Sequence, residues 1–263
     1  MRRGFGLVLG CGCAIAIAGC GPTETALPVE VVTNTAVTTP NQLPQPTETS
    51  GVKIVDEKSA KSASAAIKYD PAPESDETFE LEEGFEQLSL DDFIAYLAES
   101  DTWTQSGAEI HCTGKPKGYL STKDAYQNFT WRLDYRFERP SSLSDEAKFQ
   151  GNTGFLVYIT GEEKLWPLCL EVQGKHVQMG AVKENGGAAA VTGRDDDAAR
   201  QAARRAVGQW NRLEIVSRDG ALTVLLNDQH ISSSEPNFLS AGRLGIQAEN
   251  HPFVVRRLRL RRD

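Results

Sequence analysis

Histidine, cysteine and methionine are scarce in this 263-residue chain, at four, five and two. The histidines and cysteines gather nowhere into the set of four ligands that a structural zinc site takes, so that chemistry is excluded. Basic charge is also short. Lysine and arginine number 28 against 36 acidic residues, for a formal net charge of −8. A chain of that sign suits neither nucleic acid nor an anionic membrane surface, and no nucleic-acid partner is expected. A long apolar run is missing too. The stretch from Phe5 to Ala18 is too short for a permanent transmembrane helix. No segment repeats at a fixed period.

What is there begins with an address. Arg2 and Arg3 precede the apolar stretch, which ends in Ile17-Ala18-Gly19-Cys20. A basic start, a short apolar core and small residues directly before a cysteine match a bacterial lipoprotein signal peptide over residues 1–19. A plain secretory signal with an incidental cysteine is the other reading. On the first reading, cleavage leaves Cys20 at the new N-terminus for lipidation. Gly21 stands where an inner-membrane retention signal has Asp. The expected localisation is therefore the bacterial cell envelope, at the outer membrane, with the membrane met through a lipid on Cys20. Loss of Arg2 and Arg3 makes the mature chain still more acidic. Cys11 and Cys13 leave as well, so Cys112 and Cys169 remain in the body of the chain. An oxidising compartment permits them to pair. Two small buried thiols are the alternative.

Residues 20–77 have the composition of a tether. They are rich in Thr, Pro, Ala and Ser without a sustained apolar period, and such segments cannot bury a core. From residue 78 the pattern changes. Trp131, Leu133, Tyr135 and Phe137 alternate with Arg132, Asp134, Arg136 and Glu138, which is a half-buried strand. Further strands are expected over 107–112, 154–159, 168–173, 213–217, 222–226, 244–249 and 253–260, with turn signals between them. Short helices are expected over 90–97, behind Ser89, and over 195–206, where acids lead and arginines follow. Many short strands and few helices predict an all-β domain over 78–263.

The strand at 168–173 is the most informative. Leu168, Leu170 and Val172 share one face; Cys169, Glu171 and Gln173 share the other. A glutamate inside a strand needs a wet face or a partner. Gln247 and Glu249 repeat the pattern on a second strand, opposite Leu244, Ile246 and Ala248. Two such strands either converge on a groove or present two solvated faces. Arg256 shares its parity with the apolar Val254, Leu258 and Leu260, so it needs an acidic or carbonyl partner.

An ordered set of motifs resembles the 3-keto-disaccharide hydrolase domain family. The set runs through Gly84-Phe85, the stretch from Ile110-His111-Cys112 to Gly118-Tyr119-Leu120, and Tyr126-Gln127-Asn128-Phe129. It continues with Asn152-Thr153-Gly154-Phe155, Leu170-Glu171-Val172-Gln173-Gly174, Trp210-Asn211, Asn227 and Gly245-Ile246-Gln247-Ala248-Glu249. The family's closing Phe-Arg-Asn-Ile-Arg is Val255-Arg256-Arg257-Leu258-Arg259 here, so its Phe and Asn are lost. The resemblance implies a concanavalin A-like jelly-roll sandwich of two antiparallel sheets with short helical insertions. It also implies a groove, and in it an envelope-anchored hydrolase that cleaves glycosidic bonds of 3-keto-disaccharides or related glycosides. A non-catalytic carbohydrate-binding lipoprotein on the same fold is the alternative; a surface adhesion or structural lipoprotein is a third reading.

On that resemblance a carbohydrate is the partner, and Glu171 and Glu249 are the catalytic candidates. Gln173 and Gln247 suit sugar hydroxyls, because each amide makes directed hydrogen bonds. His111 and His176 are proton-carrier candidates or ordinary strand and surface histidines. Trp166 offers a face for a pyranose. Arg256 braces a site carboxylate or serves a core-edge ion pair. No cofactor is evident, and a divalent cation is compatible with the two carboxylates.

Overall fold

Strand alternation decides which way each residue faces, and here it builds two stacked sheets. The computed structural model describes residues 79–263. The expected signal peptide, Cys20 and the expected tether lie outside the described residues. One sheet has nine strands. Their spatial order is β10 (Gly193–Asp195), β13 (Gln229–Ser234), β12 (Ala221–Leu226), β11 (Asn211–Arg218), β6 (Phe129–Phe137), β15 (Phe253–Arg262), β4 (Glu109–Cys112) and β3 (Trp103–Ser106), with β1 (Glu86–Gln87) also on β15. The other has six, in the order β2 (Phe93–Tyr96), β5 (Gly118–Tyr126), β14 (Gly242–Ala248), β7 (Gly154–Thr160), β8 (Leu168–Gln173) and β9 (Val182–Asn185). All strand pairs are antiparallel. The fold is the expected all-β jelly-roll sandwich.

The inner faces meet in one core. Trp131 and Tyr135 of β6 pack edge-on against Phe155 of β7, with ring centroids 6.0 and 4.9 Å apart. Leu170 and Val172 of β8 and Leu244 and Ile246 of β14 join the same core. Each fully buried side chain of this size contributes about 1.5–3 kcal/mol. A second, smaller apolar cluster lies on the outer face of the six-stranded sheet. It comprises Tyr119, Leu156, Ile159 and Cys169, with Tyr96 at its margin.

The helical expectations are only partly met. Ser89 does cap a turn, taking part in a reciprocal pair with Asp92, but that turn is a 3-10 helix of Leu90–Asp92. Residues 93–96 leave it as strand β2, because Phe93 and Tyr96 find partners along the edge of β5. The second helix is α1, Asp197–Ala203, shorter than the expected 195–206 and capped by Asp196 on the Ala199 N–H at 2.9 Å. Cys112 and Cys169 are both free and buried. They sit on different sheets, so the pairing left open by the sequence is not made. Burial pushes the Cys112 thiol up to about 12.

Arg256 departs from its expected face. Arg257 takes a positive φ of 52° and the β15–β6 register shifts between Arg256 and Arg259. This bulge inserts a residue, so Leu258 and Leu260 stay in the core while Arg256 turns outward with Val254. There it is 2% exposed and stacks on Trp210, 4.0 Å from the ring centroid. Asp134, at 0% exposure, is the acid beneath. It accepts from Arg257 Nη1 at 3.3 Å and Arg212 Nε at 3.4 Å, with Arg256 Nε 3.7 Å away. Removing one partner of a buried charge cluster strands the others. Asp134→Ala should therefore cost about 3–5 kcal/mol, read as a lowered thermal midpoint.

Candidate functional site

Gly154 starts β7, flanked by β14 and β8. A Cβ there would overlap Gln247 Oε1 and lie 2.8 Å from Glu171 Cδ. The side chains of Gln247 and Glu171 thus converge over the bare glycine backbone, from the strands on either side, on the outer face of the six-stranded sheet. Two of the sequence candidates are brought together, through a residue with no side chain.

The residues just before Gly154 hold this arrangement in place. Asn152 Nδ2 donates to Glu249 Oε2 at 2.7 Å. The Thr153 hydroxyl donates to the Gln247 carbonyl at 2.7 Å. Thr153 O accepts from the Gly174 N–H at 2.8 Å, just beyond Gln173. Asn152-Thr153-Gly154 therefore ties the end of β14 to the end of β8 and leaves floor space between them.

The electrostatics follow from burial. Glu171 is pushed up to about 7 from its ordinary 4.5, first by desolvation and then by the charge of Glu249. Lys183, directly opposite on β9, pulls the other way. Glu249 is also raised by burial, opposed by Lys117 and the Asn152 hydrogen bond. Gln247 is 1% exposed, and both polar atoms of its amide lack a hydrogen-bond partner. Buried amides are nearly always paired, so an unpaired one marks this spot as a candidate site. Among the described residues no three His, Cys, Asp or Glu side chains cluster as metal ligands.

Other candidates fall elsewhere. Gln173 shares the Glu171 face but is committed to its own turn, where Oε1 accepts from the Lys175 N–H at 2.8 Å. His111 lies on β4 of the other sheet, 3.3 Å from Glu109. Arg256 is on that sheet's outer face, as above. His176 is buried beside Glu146, at 3.5 Å, and edge-on to Phe149. Burial, then Arg204, lowers its imidazole to about 4, so it is neutral at pH 7. Trp166 is 39% exposed in the 161–167 loop, where Lys117 Nζ lies 5.7 Å from its ring centroid. That loop also meets the apolar end of the face, since the Tyr96 hydroxyl donates to Glu163 O at 3.4 Å.

Sequence reasoning missed Gly154, Asn152, Lys117 and Lys183 as site residues. The signal for the first two was the Asn152-Thr153-Gly154 motif itself. A glycine within a strand often marks a bulge or the close approach of another group.

The profile of a 3-keto-alpha-glucoside-1,2-lyase-like domain matches residues 82–261. The chain belongs to that family. Among solved structures, a candidate glycosyl hydrolase from Parabacteroides distasonis aligns at a TM-score of 0.51 and 17% identity, over 68% of this chain and 99% of that one. A second from the same organism gives 0.49 and 15%, over 68% and 94%. A carbohydrate-binding module from Bacillus subtilis gives 0.47 and 14%, over 65% and 95%. Among curated proteins no match is found. The first of these likenesses supports the fold of this 3-keto-alpha-glucoside-1,2-lyase-like domain.

The raised Glu171 carboxyl makes a stability prediction. A carboxyl whose folded pKa exceeds its unfolded one gives full stability below the ordinary 4.5 and loses it as pH rises through about 7. Glu171→Gln should therefore melt above wild type at pH 8, with the difference closing as the pH falls below 4.5. Paired thermal melts across pH read this directly.

Proposed function

We propose that this domain cleaves 3-keto-glycosides by elimination across C1–C2, followed by hydration. The observation that carries the reading is the Glu171 carboxyl leaning with the Gln247 amide over Gly154. Membership of a family described by 1,2-lyase chemistry supports it.

The ketone at C3 acidifies the proton on C2. The Glu171 carboxylate takes that proton, and the C–H electron pair becomes the enolate. The enolate then collapses: the carbonyl re-forms, a C1–C2 double bond forms, and the C1–O bond breaks. The departing oxygen takes a proton from Glu249, whose carboxyl burial raises above its ordinary 4.5. Water adds across C1–C2 to give the free 3-keto sugar. Lys183, opposite Glu171, and Lys117, near Glu249, supply positive charge where the enolate oxygen develops negative charge. Gln247 holds a sugar hydroxyl through its unpaired amide.

A base near pH 7 must be ionised to act. The kcat/KM on a 3-keto-glycoside should rise with pH through about 7 as one proton is lost. Glu171→Gln should lower turnover by at least about a hundredfold while sugar binding survives. Retained turnover would overturn the base assignment. Binding without turnover in the wild type would favour a carbohydrate-binding module, and neither activity would favour a structural lipoprotein. Repeating the assay with divalent cations tests the metal expectation.

We also propose that Cys20 carries a lipid and holds the domain at the outer membrane. Cys20→Ser should abolish incorporation of labelled palmitate and release the protein from the membrane fraction.

A further inference from the structure

The outer face of the nine-stranded sheet carries a row of arginines. Arg132 and Arg136 come from β6, Arg212 from β11, and Arg256, Arg257, Arg259 and Arg261 from β15. The segment that leads into β1 lies along this row as a strap. Phe85 covers the Arg261 end, with its ring centroid 4.7 Å from the Arg132 guanidinium and 5.1 Å from that of Arg261. Glu82 accepts from Arg259 through both oxygens, at 2.6 and 2.7 Å, and from Arg132 at 3.2 Å. Phe79 covers Arg257 and Arg259, at 5.2 and 5.1 Å. Between them Glu80, Leu81 and Glu83 are exposed. From Phe85 back to Phe79, the strap therefore runs along β15 from Arg261 to Arg257. Guanidiniums favour aromatic faces and carboxylates, so each inward residue of the strap suits what lies beneath it.

The row continues past Arg257. Arg136 faces Val254 across the β6–β15 register, about 10 Å farther along β15. Its guanidinium lies 4.4 Å from the centroid of the Trp210 ring, on which Arg256 also stacks. Arg212 faces Asp134 on the neighbouring strand, with 24% of its side chain exposed. The chain just before Phe79 reads Glu74-Ser75-Asp76-Glu77-Thr78 and lies outside the described residues. An extended chain covers about 3.3–3.6 Å per residue. In the line that the strap already follows, Asp76 comes level with Arg136.

We propose that the acidic run Glu74-Ser75-Asp76-Glu77 extends the strap and docks on Arg136 and Arg212. The occupant is the chain's own segment because its charge is opposite to that of the row. It is also joined directly to Phe79, so its binding is intramolecular and needs no encounter. The Gly154 site lies on the outer face of the other sheet. Docking therefore fixes the exit of the preceding chain on the side away from Glu171 and keeps that face clear. The proposal is independent of the chemistry at Glu171.

The test uses the full mature chain. Arg136→Lys keeps the positive charge and supplies an amine, which a carbodiimide joins to a carboxylate in direct contact. Peptide mapping should place the new cross-link on Glu74, Asp76 or Glu77 of the same chain. A cross-link to another acid of the domain, a cross-link confined to a covalent dimer, or none at all overturns the proposal. The second readout is chymotrypsin cleavage after Phe79, which requires the strap to lift. Rates are referred to free peptides of residues 70–85 with the same substitutions. Glu74→Gln, Asp76→Asn and Glu77→Gln together should speed cleavage about fivefold at low salt, the upper worth of one exposed ion pair. The difference should close at about 1 M NaCl, where screening acts within about 3 Å. Equal rates at low salt overturn the proposal.

Discussion

The missing side chain at Gly154 is the constraint on which the site depends. In an antiparallel sheet, the central strand normally fills the space between its neighbours. Here the neighbours' side chains fill it: Glu171 from β8 and Gln247 from β14. That crowding removes water from a carboxylate, and loss of water lifts its pKa toward neutrality. The glycine, the convergence and the shifted carboxyl are one physical fact at three levels.

The two outer faces treat buried charge in opposite ways. On the nine-stranded sheet, Asp134 lies under Arg212, Arg256 and Arg257, so desolvation is met by opposite charge. Glu82 closes the far end of that ladder on Arg259, and its carboxyl is lowered to about 2 despite desolvation. On the six-stranded sheet, Glu171 meets Glu249, a like charge, and Lys183 opposite it on β9 offsets only part of the rise. The first arrangement fixes geometry. The second lifts a carboxyl toward neutrality, a shift of the kind that clusters at functional sites.

The legible part of this molecule was periodic. Alternation in 131–137, 168–173 and 244–249 identified three strands and put Glu171 and Gln247 on their correct faces. Strand β5 was illegible, because Ser121, Thr122, Lys123 and Asp124 break its apolar alternation. Arg256 was misassigned because a bulge resets parity. That bulge uses Arg257 at positive φ, where composition would lead one to look for Gly or Asn. His111 and His176 misled for a simpler reason. A lone histidine carries no information about where the fold will place it: His111 lies on a strand of the other sheet and His176 on a 3-10 turn.

The two free thiols have a consequence for where this domain can be made. Cys112 closes the core side of β4, and Cys169 lies on the opposite sheet's outer cluster. Neither contributes a covalent cross-link, so the domain's stability comes from burial, hydrogen bonding and ion pairs. Its folding equilibrium is therefore indifferent to the glutathione poise around it. A reducing cytosol and an oxidising envelope offer the same native state, and no disulfide catalyst stands between the chain and its fold.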